Sequence, residues 1–251
     1  MLVVKTKKLG KIYRGYRGFL KKRETLALKD LDLEVERGEV FGLLGLNGAG
    51  KTTVLKILLG FTTPSWGEFE LLGEKGINNR VKKKIGFLPE GPNLYDFLSA
   101  EEFLDFCGKL FNLSPKERKT KTELLLELLS LTSAKKIPVK EFSKGMIQRL
   151  GIASSLINDP ELIFFDEPLG GLDPLGRKVV KDIILTLKEK KKTVFFSSHI
   201  LAEAEKICDR IGILHKGKLI SSKNMEEITD EEVSLEDFFL QAIKTHQGET
   251  S

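Results

Sequence analysis

The chain has 251 residues, of which 41% are hydrophobic and 31% charged, and a formal net charge of +5. That length can bury a substantial core as one large or two small domains. No segment approaches the length needed to cross a bilayer, and the start MLVVKTKKLGKIY lacks the apolar stretch of a secretory signal. The expectation is a chain kept in the cytoplasm and free to dock on a membrane through a partner. Cys107 and Cys208 have no metal-ligand spacing and sit among apolar residues, which predicts reduced core residues.

Charge is unevenly spread. Met1 to Lys29 holds ten Lys/Arg and one acidic residue, whereas Ser222 to Leu240 holds seven Asp/Glu and one Lys. A basic arm invites a nucleic-acid or lipid-headgroup reading. No zinc spacing, RNA-binding aromatic pair or basic recognition helix accompanies it, so a solvated Lys-rich surface is expected and direct nucleic-acid binding is not.

Up to Glu39 the chain reads as β-rich, from the short apolar or alternating runs Leu26–Leu28 and Leu31–Val35. RGYRGFLKKRE, between Tyr13 and Thr25, is too basic and glycine-punctuated for core and reads as a surface loop or hairpin. Val40–Leu44 then reads as a buried strand and Thr53–Leu59 as a helix ending at Gly60. Between them Gly45-x-x-x-x-Gly50-Lys51-Thr52 is the full phosphate-binding loop pattern. Its glycines let successive N–H groups (Asn47, Gly48, Ala49, Gly50, Lys51, Thr52, Thr53) point at phosphate oxygens, with the positive end of the helix behind them. Lys51 reaches the β- and γ-phosphates and the Thr52 hydroxyl can ligate Mg²⁺. The chain is predicted to bind a nucleoside triphosphate.

Beyond Gly60, FTTPSWGEFELLGEKG reads as a strand region broken by Pro64, Gly67 and Gly73. Ile85–Leu88 is a short strand followed by Pro89-Glu90. Helical spacing then takes over from Glu101 to Leu110, Ser114-Pro115-Lys116-Glu117 is a helix start, and strand patterns stay away until Leu162. The alternation resumes with strand Leu162–Phe165, helix Pro174–Glu189, strand Thr193–Ser197, helix Ile200–Ile207 and strand Ile211–His215. The fold class is therefore α/β: a P-loop NTPase core with a parallel-rich sheet, an amino-terminal antiparallel β region and an inserted helical subdomain. The expected divisions are residues 1–90 (first core part with the β region), 91–156 (helical), 157–221 (second core part) and 222–251 (an acidic helical tail).

The strand from Leu162 delivers Asp166 and Glu167 at its carboxyl end, 115 residues after Lys51. Asp166 suits the magnesium site, and Glu167 is placed to polarise an attacking water as catalytic base. His199 follows the next strand. It is either an ordinary helix-start histidine or an imidazole that contacts the γ-phosphate and orients that water.

These motifs together resemble the nucleotide-binding subunit of an ABC transporter, over nearly the whole chain. The resemblance makes Phe142-Ser143-Lys144-Gly145-Met146 the signature, Gly171-Leu172-Asp173 the D-loop and His199 the switch histidine. It implies an adenine-stacking aromatic for which Tyr13 is the best match and Tyr16 a nearby rival. It also implies a head-to-tail dimer in which Ser143 and Gly145 contact the γ-phosphate held by a second nucleotide-binding subunit. The chain departs from the family pattern in two places. Glu90 stands where a glutamine is usual, as a ligand to water or Mg²⁺. In the signature Lys144 replaces a glycine and Met146 the glutamine, and Lys144 either supplies a cation near the partner's nucleotide or is simply solvated. Both departures resemble the exporter-type ABC-2 branch, which implies an Mg²⁺-dependent ATPase driving export through separate integral membrane subunits, peripheral on the cytoplasmic side of the membrane. The alternative is a soluble ABC-type ATPase acting on ribosomes or nucleic acid. A regulatory binder without turnover fits poorly with an intact Glu167 and His199.

Overall fold

A computed structural model describes residues 1–17, 21–230 and 233–248. The chain opens with two long antiparallel strands, β1 (Leu2–Arg17) and β2 (Lys21–Glu36), in which residues 14–17 of the basic segment pair with 21–24, and residues 18–20 of that segment lie outside the described residues. Strand β3 (Val40–Leu44) leads into α1 (Lys51–Leu58); β4 (Trp66–Leu71) and β5 (Glu74–Lys75) return to the hairpin, and α2 (Asn79–Lys82) precedes β6 (Ile85–Leu88). Three helices follow: α3 (Ala100–Leu110), α4 (Pro115–Leu128) and α5 (Lys144–Leu156). The remainder is β7 (Leu162–Asp166), α6 (Pro174–Glu189), β8 (Thr193–Ser198), α7 (Leu201–Ala204), β9 (Arg210–His215), β10 (Lys218–Asn224), α8 (Met225–Asp230) and α9 (Leu235–Gly248).

Two sheets result: an antiparallel one in the order β2-β1-β4-β5, and a six-stranded one in the order β10-β9-β3-β8-β7-β6. The second is parallel except for β10. Its central strands are buried on both faces, which explains their unbroken apolar runs. Alternate residues divide between two cores. Phe41, Leu43, Phe164 and Phe195 join α1 and the antiparallel sheet, whereas Val40, Leu44, Phe165 and Phe196 join α3, α5 and α6. The helices from residue 91 to 156 thus share a core with the parallel sheet, and α3 and α4 both begin on capping boxes, Ser99 with Glu102 and Ser114 with Glu117.

Four expectations need correction. Gly67 does not break its strand; at φ +79° it lies inside β4, where an added Cβ would come within 2.3 Å of the Lys8 carbonyl oxygen. The β1 ladder shifts register between Lys7 and Gly10 at that crossing, so a glycine is needed for close approach rather than for termination. The helix expected over Ile200–Ile207 shrinks to α7, because Ile207 and Cys208 turn into the core and Asp209 bonds to the Val40 carbonyl to start β9. The tail expected to be helical from Ser222 begins instead as the last residues of β10, which Gly217 (φ +80°) turns back onto β9. Cys107 is only half-buried, packed at the margin of a core, while Cys208 is buried; both are free.

Candidate nucleotide site

Parallel β3 and β7 end side by side with β8 between them, so the phosphate loop, Asp166-Glu167 and His199 meet at one edge. The loop is shaped by close approach. Gly50 has φ +114°, and a Cβ there would lie 2.8 Å from the Ala27 carbonyl oxygen; one on Gly45 would lie 2.5 Å from that of Leu214. α1 starts with no side-chain cap and no acidic residue in its first turn, which leaves its leading N–H groups for an anion. Lys51 is buried; its Nζ donates to the Gly45 carbonyl at 2.7 Å and pairs with Glu167 Oε1 at 3.2 Å.

The other oxygen of Glu167 faces His199 Nδ1 at 2.8 Å. Glu167 is buried, has the left-handed φ of +49° and opens a turn in which Gly170 N–H donates to its carbonyl. A non-glycine residue held in that region is strained, and the surrounding bonds hold it there. One of them comes from Ser197, opposite Asp166 in the β7–β8 register, whose Oγ accepts from the Glu167 N–H (3.0 Å) and donates to Asp166 Oδ1 (2.6 Å). Burial pushes the Asp166 carboxyl up from its ordinary value and the neighbouring Glu167 charge adds to this, against hydrogen bonds from Ser197 and Thr52 and the Lys51 charge.

A hard divalent cation fits here. Thr52 and Asp166 offer adjacent oxygen donors, and a buried carboxyl that resists ionising gains from a cation beside it. Among the described residues no group of three or more His, Cys, Asp or Glu side chains forms a metal cage. That suits a cation whose remaining ligands are phosphates and water.

These groups line a pocket of about 440 Å³: Leu46, the whole run from Asn47 to Thr53, Glu90, Glu167, His199, and Thr25 to Ala27 of β2. The structure therefore joins Lys51, Thr52, Glu90, Glu167 and His199, with Asp166 bonded to Thr52 behind them. Tyr13 is not in that lining; it pairs with Thr25 in the hairpin, and the Lys11 ammonium sits 5.1 Å from its ring centre. The side chain of Tyr16 lies outside the described residues.

Ser143, Gly145 and Asp173 gather in a second pocket, of about 450 Å³, that shares no lining residue with the first. Ser143 caps α5 by accepting from Met146 N–H, and Asp173 caps α6 by accepting from Gly176 N–H at 2.7 Å. Lys144 lies over Gly171, where an added Cβ would fall 2.0 Å from its Nζ. Sequence reasoning missed three contributors. Ser197 is legible only through strand register, Gln148 of α5 donates to the Pro168 carbonyl beside Glu167, and β2 supplies one wall of the pocket. Downstream of Glu90, Leu94 packs against the helical core, while Phe97 stands 71% exposed next to Tyr95.

Residues 28–170 match the family described as ABC transporter. An uncharacterized ABC transporter ATP-binding protein of Synechocystis sp. is 50% identical, covering 90% of this chain and 64% of that protein, so the chain spans less than two thirds of its length. The bacitracin transport ATP-binding protein of Bacillus licheniformis is 39% identical, covering 87% of this chain and 68% of its own. Nod factor export ATP-binding protein I of Cupriavidus pinatubonensis is 38% identical, covering 84% and 65%. Among solved structures, an ATP-binding subunit of an ABC transporter superposes with a TM-score of 0.82 at 30% identity, covering 96% of this chain and 99% of that one. A dimeric post-hydrolysis state of the ATP-binding cassette MJ0796, bound to ADP and Pi, does so with a TM-score of 0.79 at 26% identity, covering 88% and 98%. Pocket and likeness agree: the chain belongs to the ABC transporter family.

Proposed function

We propose that this chain hydrolyses Mg²⁺-ATP to drive export of a substrate through a separate membrane partner. The observation that carries the chemistry is the buried Glu167 carboxylate, held between Lys51 (3.2 Å) and His199 (2.8 Å) beside the Asp166–Thr52 pair. The loop N–H groups and Lys51 bind the β- and γ-phosphates. Thr52 and Asp166 would hold a magnesium ion, which when bound would neutralise charge on the phosphate oxygens. Glu167 accepts the proton of the water that attacks the γ-phosphorus as the bond to ADP breaks, and His199 orients that water. Glu90 stands at the rim as a further oxygen ligand for water or the cation. Ser143 and Gly145, at the start of α5, close the γ-phosphate of a second copy, with Asp173 alongside them. The dimeric relative bound to ADP and Pi supports this composite arrangement.

Export is supported by the relatives that carry transport or export of bacitracin and Nod factor in their names. No helix among the described residues is long and apolar enough to cross a membrane. The segment after Glu90 is where the partner docks, which makes the chain peripheral on the cytoplasmic side. Gly91 has φ +66°, and Pro92 packs against Gly151 of α5, where an added Cβ would meet its ring at 2.9 Å. Residues 96 and 98 are tied by backbone bonds to 140 and 139, and Tyr95 and Phe97 stand 50% and 71% exposed. Apolar anchors on a segment joined to both the pocket and α5 suit transmission of nucleotide state. Single cysteines at Asn93, Tyr95 and Phe97 are expected to crosslink to a cytoplasmic segment of the membrane subunit in native membranes, with yields that change on adding ATP. Crosslinks confined to the chain itself, or copurification with ribosomes in place of membranes, would defeat the export reading and leave the ATPase chemistry intact.

A further inference from the structure

Glu167 opens a turn in which Gly170 N–H donates to its carbonyl at 3.0 Å, and Pro168 has no N–H to add to that bond. On the sheet side the Glu167 N–H is taken up by Ser197. On the other side the turn rests on α5. Gln148, only 6% exposed, donates from Nε2 to the Pro168 carbonyl at 3.0 Å. Lys144 lies four residues earlier, on the same face of the helix. It lays the end of its side chain over Gly171, where an added Cβ would fall 2.8 Å from its Cε. A Cβ on Gly145 would lie 3.9 Å from Leu172 Cδ2. One end of α5 therefore backs the turn at residues 168, 171 and 172, directly after Glu167.

A buried amide among apolar neighbours such as Leu150 and Ile152 costs free energy unless it is bonded, so packing alone would favour an apolar side chain at 148. The Pro168 carbonyl is what an amide N–H serves there, and removing the donor leaves that oxygen without its bond. Glu167, at φ +49°, depends on its surroundings to keep its conformation. We infer that Gln148 is a positioning residue for Glu167: it fixes the turn so that the carboxylate sits between Lys51 and His199. Gln148 is not in the lining of the nucleotide pocket, so it acts through Glu167 and not on the phosphates. The inference rests on reading Glu167 as the base. Misplacing such a group by about 1 Å can cost up to about 10²-fold in rate.

The test uses the full chain and two replacements close in length to glutamine. Gln148→Met keeps the bulk and lacks the donor, whereas Gln148→Glu can donate only when protonated. In steady-state hydrolysis of Mg²⁺-ATP, Gln148→Met is expected to lower kcat about ten-fold and to hold KM within about two-fold. In the Glu167→Gln background it should still dimerise with Mg²⁺-ATP in sedimentation, which shows that the fold and the start of α5 are intact. Turnover by Gln148→Glu relative to Gln148→Met should climb as the pH is lowered from about 8 to about 6, since burial raises a carboxyl towards that range. Parent-like kcat in Gln148→Met, a loss of turnover matched by loss of the dimer, or a ratio that does not climb would overturn the inference. Parent-like hydrolysis by Glu167→Gln alone would overturn the reading of Glu167 itself, and the inference with it.

Discussion

Asp166 shows how one residue couples fold to ligand. Burial raises its carboxyl above the ordinary value, so in the nucleotide-free chain the proton is held more tightly folded than unfolded. Stability from such a group is full below the unfolded value and is lost as the pH climbs through the raised folded value. Above the unfolded value the carboxyl therefore opposes folding. Asp166→Asn keeps an acceptor for Ser197 and removes the charge, so it should raise the thermal midpoint of the nucleotide-free chain at neutral pH. That advantage should narrow towards acid. Mg²⁺-ATP should reverse the order by stabilising the parent more than the variant. A variant less stable than the parent at neutral pH, in a thermal-unfolding series without nucleotide, would contradict this reading of the site.

Among the elements, α5 ties the two pockets together. Its first residues present Ser143 and Gly145, and one turn on Gln148 donates to the Pro168 carbonyl beside Glu167. Two turns in, Gly151 lets Leu88 and Pro92 pack close. In the Glu167→Gln background, Mg²⁺-ATP is expected to shift the chain from monomer towards dimer in sedimentation. Ser143→Arg should abolish that shift, because a bulky side chain fills the anion-binding start of the helix while leaving the other pocket untouched. An unaltered dimer fraction would reject the composite site. Much of this was legible in the sequence, because the strand–loop–helix around Lys51 and the strand ending in Asp166-Glu167 carry local signals of period and turn. Ser197 was not, since its role depends on which β8 residue falls opposite Asp166. β10 escaped because Leu219 and Ile220 are adjacent, leaving no alternation to detect.

At the scale of the molecule, the parallel sheet brings three strand ends to one edge, and the helices on one face connect that edge to Tyr95 and Phe97. In the proposed function, both dimer closure and motion at a membrane partner depend on whether the γ-phosphate bond is broken through Glu167. The most direct measurement is steady-state ATP hydrolysis by purified Glu167→Gln with controlled Mg²⁺, with ATP affinity measured in parallel. The amide keeps the shape and the contact to His199 but cannot accept the proton. Affinity should hold within about three-fold while turnover falls roughly 10²-fold or more. Turnover close to that of the parent, at equal ATP occupancy, would contradict the account.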